Sequence, residues 1–152
     1  MRSIANKPRL FIDTSVLFSG IWSQAGGARL ILNLGEASAI HLLVSSQVLA
    51  EIDAVMRQKA PEQLPRLALL IDRSQAAIVP PAQVEYMERC RSLTGHAGDA
   101  RILADAWAAN VDFFTTLDKQ HFLENPALQN ILPFPIGTPG DFIGWYREIF
   151  IS

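Results

Sequence analysis

The run Arg9-Leu10-Phe11-Ile12-Asp13 is the strongest constraint on what this chain can fold into. Its apolar residues are continuous instead of alternating. Successive strand side chains point to opposite faces, so a strand with one wet face alternates and an unbroken run needs cover on both. The run therefore predicts a central strand in a mostly parallel sheet. It ends on a carboxylate, and in open parallel sheets ligands bind beyond the C-terminal ends of the strands.

The remaining pattern alternates helix and strand in the same way. Helical spacing from about Gln24 to Ala37 puts Leu30, Ile31 and Leu34 on one side. Ala39 to Val44 reads as a second strand, with Ser45 or Ser46 able to cap a helix near Gln47 to Gln58. Pro61 opens a further helix with Leu64, Leu67, Ala68 and Ile71 on its apolar side. Ala76 to Val79 is a weak strand stopped by Pro80-Pro81, and Gln83 to Arg91 reads equally as helix or loop. A helix from about Asp99 to Asn110 leads into a strand at Val111 to Thr116. Asn130 to Leu132 is expected as a short last strand, and Thr138-Pro139 starts a terminal helix to about residue 150. Alternation of this kind predicts an α/β fold, a three-layer α/β/α sandwich around a mostly parallel sheet. One domain over 1–152 is expected, with its core at about 9–133 and the C-terminal helix at about 139–150.

Composition bounds the function classes. The formal net charge of -2 argues against a broad basic surface that grips nucleic acid by charge alone. The single Cys90 has no internal disulfide partner, which suits a reducing cytoplasm. The N-terminal MRSIANKPR lacks the apolar stretch of a signal peptide, and the apolar runs are too short for a transmembrane span.

Four acids stand out by position. Asp13 and Asp118 each follow a strand, at the same edge of the expected sheet. Glu51 lies three residues after Val48 and four before Val55, hence on or beside the apolar face of its helix. Asp99 precedes Ile102 and Leu103 by the same spacing. Each alone has an ordinary explanation as a helix cap or a boundary salt bridge. Together they predict a cluster whose mutual repulsion a divalent cation would relieve. Oxygen donors without paired Cys or His favour Mg²⁺ or Mn²⁺ over Zn²⁺. Arg101 and Asp105, four apart, are expected to form a surface pair of little weight. His41, His96 and His121 have no zinc spacing, and His96 is expected to be a loop or helix-start residue. Arg57, Lys59, Arg66, Arg73, Arg89 and Arg91 are candidates for a phosphate-contacting rim. Trp22, Trp107, Trp145 and Tyr146 are candidates for base stacking, with packing expected for Trp107.

Four pieces of the chain resemble the PIN-domain ribonucleases, in particular their toxin-like single-domain branch. They are Phe11-Ile12-Asp13-Thr14-Ser15-Val16-Leu17, Ser46-Gln47-Val48-Leu49-Ala50-Glu51-Ile52, the stretch Gly98-Asp99 through Ala106, and Val111 through Asp118 closed by Phe122. The resemblance implies a metal-dependent endoribonuclease with Asp13, Glu51, Asp99 and Asp118 as both catalytic and metal-binding residues. It further implies Mg²⁺ or Mn²⁺ as cofactor, RNA as substrate, an antitoxin protein as candidate partner and a homodimer as candidate assembly. Thr14 or Thr116 would orient a carboxylate or water. Many relatives have Asn where this chain has Ser15, and some have a further Asp where it has His96. Two other readings stay open: a phosphatase-like hydrolase with Asp13 as nucleophile, and a non-catalytic binding or structural protein.

Overall fold

The computed structural model describes residues 7–150. The expectation about the extreme N-terminus falls largely on residues 1–6 and lies outside them. Five strands form one sheet in the order β3-β2-β1-β4-β5, and every pairing is parallel. They are β1 (Arg9–Ile12), β2 (His41–Val44), β3 (Ala77–Ile78), β4 (Phe113–Thr115) and β5 (Ile136–Gly137). As the unbroken run predicted, β1 is central and its Leu10, Phe11 and Ile12 are fully buried.

Helices cover both faces of this sheet. They are α1 (Thr14–Trp22), α2 (Gly27–Glu36), α3 (Ser46–Lys59), α4 (Leu64–Arg73), α5 (Val84–Leu93), α6 (Ala97–Ala108), α7 (Pro126–Ile131) and α8 (Pro139–Phe150). A 3₁₀ turn at Pro61–Gln63 leads into α4, and a π-helical turn spans Lys119–Leu123. Ser45 caps α3 by accepting from the Val48 amide, as expected from its position. Among the described residues, no helix is long and apolar enough to cross a membrane.

Two expectations differ from the structure. The helix placed at Gln24 to Ala37 is preceded by a separate one, α1, which starts directly after Asp13. Its Val16, Leu17, Gly20 and Ile21 are buried, so packing holds a segment whose pattern has little helical contrast. The strand expected at Asn130 to Leu132 instead falls in and just after α7, which begins at Pro126 with Asn125 accepting from Ala127 N. The fifth strand is Ile136–Gly137, between Pro135 and the cap of α8, and is too short to carry a period.

The core is organised across β1 and β4. Phe11 and Phe114 sit opposite in register and their rings stack at 5.3 Å. Phe122 extends the cluster, 5.3 Å from Phe114. Burying each such ring stabilises the fold by about 1.5–3 kcal/mol. This packing fixes where the strands end, and therefore where the following residues emerge. The strand order reverses about β1, because β2 continues on one side and β4 joins on the other. A parallel sheet opens a crevice at such a reversal, beyond the strand C-termini.

Candidate metal centre

That crevice is an open cleft of ≈ 300 Å³, and Asp13, Glu51, Asp99 and Asp118 all line it. Each acid comes from a different part of the fold. Asp13 follows β1 and its carbonyl starts α1, accepting from the Val16 and Leu17 amides. Glu51 projects from α3, Asp99 from the first turn of α6, and Asp118 precedes the π-helical turn after β4.

Asp13 is the most enclosed, with 4% of its surface exposed. Its Oδ2 accepts from Thr116 Oγ1 at 2.7 Å and from Ser15 Oγ at 3.0 Å. Each hydroxyl is itself positioned by a backbone amide. Leu117 N donates to Ser15 Oγ at 2.9 Å, and Asp118 N donates to Thr116 Oγ1 at 3.0 Å. The residues after β4 thus build the clamp that orients the acid after β1. Burial pushes the Asp13 carboxyl up to about 6, against the pull of the two hydroxyl hydrogen bonds. Nearby Glu51 adds a smaller push in the same upward direction.

Glu51 has a partner for each oxygen. Thr14 Oγ1 donates to Oε1 at 3.1 Å and Gln47 Nε2 donates to Oε2 at 2.9 Å. A side chain at Gly98 would intrude on this pair: an added Cβ would stand 3.1 Å from Glu51 Oε2 and 3.4 Å from Gln47 Nε2. Glycine at this point lets the start of α6 close on α3, which brings Asp99 towards Glu51.

Asp99 is less satisfied. Among the described residues, its Oδ2 and Thr115 Oγ1 are the buried side-chain polar atoms without a hydrogen-bond partner. His121 Nδ1 lies 3.4 Å from that oxygen but not in hydrogen-bond geometry. Burial raises the Asp99 pKa, with Asp118 and Glu51 adding to the rise and His121 and His96 opposing it. Asp118 is tied to the π-helical turn, its Oδ1 accepting from His121 N at 3.0 Å and its Oδ2 standing 3.0 Å from His121 Nδ1.

A hard divalent cation fits this donor set. The cleft gathers carboxylate oxygens, one of them is buried without a donor, and Asp13 and Asp99 are pushed towards their neutral forms by desolvation and by neighbouring carboxylates. A cation would oppose each of those effects.

Other expectations are refined or overturned. Lys59 lines the cleft beside Phe18, with its ammonium 5.7 Å from the ring centre. Arg57 instead pairs with Asp53, and Arg89 lies over Trp107. Trp107 packs edge-to-face on Tyr86 at 5.9 Å, as core packing predicted. The pairing of Arg101 with Asp105 is present, yet Asp105 is buried and not on the surface. It accepts from Ala82 N at 2.7 Å and so ties α6 to the loop before α5. His96 is at the helix start, but the fold sets its ring against that of His121, with centroids 4.3 Å apart and the planes tilted by 43°. Spacing along the chain could not show this, because the two lie 25 positions apart with a strand between them. Cys90 is fully buried in the core, and burial pushes its thiol up to about 11, away from the thiolate form.

Comparison with known proteins agrees with this fold. The family model described as PIN domain matches residues 9–120. No curated protein matches the chain. Among solved structures, VapBC2 from Rickettsia felis bound to a DNA fragment from their promoter contains a similar chain. The TM-score is 0.65 at 18% identity, over 85% of this chain and 98% of that one. DNA-bound VapBC from Salmonella typhimurium contains another, with a TM-score of 0.63 at 18% identity over 89% and 99% of the respective chains.

Proposed function

The chain belongs to the PIN-domain family, and on that premise we propose that it is a metal-dependent endoribonuclease, the toxin of a toxin–antitoxin pair. The observation that carries this reading is the convergence of Asp13, Glu51, Asp99 and Asp118, from four separate elements, on one open cleft. These four residues would hold Mg²⁺ or Mn²⁺. When bound, such a cation stabilises charge on a phosphodiester oxygen and activates water at neutral pH.

The chain's own residues supply orientation. Ser15 and Thr116 lock Asp13, while Thr14 and Gln47 lock the two oxygens of Glu51, so little rearrangement is needed when substrate arrives. Lys59 at the cleft offers a positive charge to a phosphate, and the half-buried Phe18 ring beside it offers a face to a base. Asp13 is poorly suited to be a phosphatase nucleophile. Its Oδ2 accepts two hydroxyl hydrogen bonds, and burial favours the neutral acid.

Support for an antitoxin partner comes from the resemblance to toxin-like PIN-domain proteins and from similarity to chains in two DNA-bound VapBC complexes. The test is cleavage of a mixed RNA pool with Mg²⁺ or Mn²⁺ by the wild type, Asp13→Asn and Asp99→Asn. Wild type should cleave and both variants should not. Equal cleavage by all three overturns the assignment. Expression of the wild type, but not of Asp13→Asn, should arrest growth if the protein is a toxin.

A further inference from the structure

Two imidazoles and a carboxylate meet at one side of the acidic cleft, and we propose that His96, Asp99 and His121 form a second cation site, selective for a borderline transition-metal ion of the Zn²⁺ class. The three residues come from two elements, the start of α6 and the π-helical turn. Each presents one ligand atom, and the three atoms all lie within 4.8 Å of one another.

The separations suit a metal. With metal–donor bonds of about 2.0–2.2 Å, neighbouring donor atoms in a tetrahedral or octahedral shell stand about 3.0–3.5 Å apart. His121 Nδ1 is 3.4 Å from Asp99 Oδ2 and 3.0 Å from Asp118 Oδ2, so these pairs already span the edges of such a shell. The His96 nitrogen already lies within 4.8 Å of the other two donors, and a small rotation of its ring would bring it to bonding distance. Its ring is exposed, and its side chain makes no capping hydrogen bond that would hold it back. A second observation points to the same place: Asp99 Oδ2 is buried with no hydrogen-bond donor, and it faces the His121 nitrogen.

The donor chemistry sets the ion class. Mg²⁺ takes oxygen ligands and keeps its waters, whereas imidazole nitrogen with a carboxylate suits Zn²⁺ and its neighbours. Asp13 and Glu51 carry their own hydroxyl and amide donors and bring no nitrogen ligand. The cleft therefore has an all-oxygen side and a nitrogen-bearing side that share Asp99. The proposed site does not depend on RNA cleavage. If instead the histidines only hydrogen-bond the acids, removing them would leave transition-metal affinity where it was.

The test is calorimetric titration of metal-stripped full-length protein with ZnCl₂ and, separately, MgCl₂, for the wild type, His96→Ala, His121→Gln and Asp13→Asn. Circular dichroism confirms that each variant is folded, and histidine side-chain ¹⁵N NMR reports which rings bind. One Zn²⁺ per chain is expected, with the His96 and His121 nitrogens shifting. Each histidine substitution should weaken Zn²⁺ binding by about tenfold or more, with a much smaller change for Mg²⁺. Asp13→Asn should leave Zn²⁺ binding nearly intact. Absence of Zn²⁺ binding at micromolar concentration overturns the proposal. So does Zn²⁺ affinity that is indifferent to both histidine substitutions, or that collapses in Asp13→Asn.

Discussion

Asp99 and Asp105 share helix α6, and both turn inward, yet the fold treats them in opposite ways. Asp105 Oδ1 accepts from Arg101 Nη1 at 3.1 Å and from Ala82 N at 2.7 Å. The same Arg101 nitrogen reaches Ala82 O at 3.3 Å, closing a small ring of contacts between α6 and the loop before α5. Asp99 has a buried oxygen without a donor, two other carboxylates nearby that raise its pKa, and an open cleft in front of it. Both turns take an acid at least partly out of water. What differs is whether protein groups already satisfy the charge. The first turn leaves that charge unpaired at an open cleft, and the third turn uses it to join two elements.

The contrast can be broken most sharply by activity. Asp99→Asn should lower metal-supported RNA cleavage by about 10²-fold or more, because a charge aimed at the metal is lost. Asp105→Asn should stay within a few-fold of wild type once folded, so a comparable loss in both variants would erase the distinction. Stability should rank them in reverse. Asp105→Ala strands the Ala82 amide and a partly buried Arg101, and should cost about 2–4 kcal/mol in urea unfolding. Asp99→Asn without metal should be neutral or stabilising, since repulsion from Asp118 and Glu51 is removed.

A third measurement uses pH and the most buried acid of the cleft. The folded pKa of Asp13 is raised from 3.8 to about 6, so the folded state holds the proton more tightly than the unfolded chain. Its contribution is therefore most favourable below about pH 4 and is lost as pH rises towards 6. In metal-free protein, the stability advantage of Asp13→Asn over wild type should grow by about 2–3 kcal/mol between pH 4 and 7. Saturating Mn²⁺ should remove most of that advantage. A flat difference across pH would mean that Asp13 is not desolvated. The smallest effect is expected at Gly98. Gly98→Ala moves a Cβ against the Glu51 carboxylate, and Mn²⁺ affinity measured by titration should fall by less than about tenfold with stability nearly unchanged.

The distinction between Asp99 and Asp105 was only half legible in the sequence. Strand ends and helical spacing brought out the four acids, because both are local patterns and the cleft lies where a parallel sheet must open. The same spacing treats Arg101 and Asp105 as any exposed pair four residues apart. The Pro80-Pro81 loop that covers them arrives by tertiary packing, which leaves no mark on the period of α6. Helix α1 was missed for a related reason: Thr14 to Trp22 follows Asp13 without a break, and packing supplies its order. The meeting of His96 with His121 was invisible, since it depends on how the turn after β4 lies against the start of α6. Asp118 and His121 three residues apart were the one local hint.

The bond from Thr116 to Asp13 joins residues 103 positions apart, and β1 pairs with β4 over a similar separation. Contacts so distant along the chain form late, after the closure entropy of the intervening segment has been met. A chain emerging from the ribosome can therefore make β1, β2 and the helices between them long before it has the clamp that orients Asp13. No fragment ending before Thr116 can carry the full clamp on Asp13.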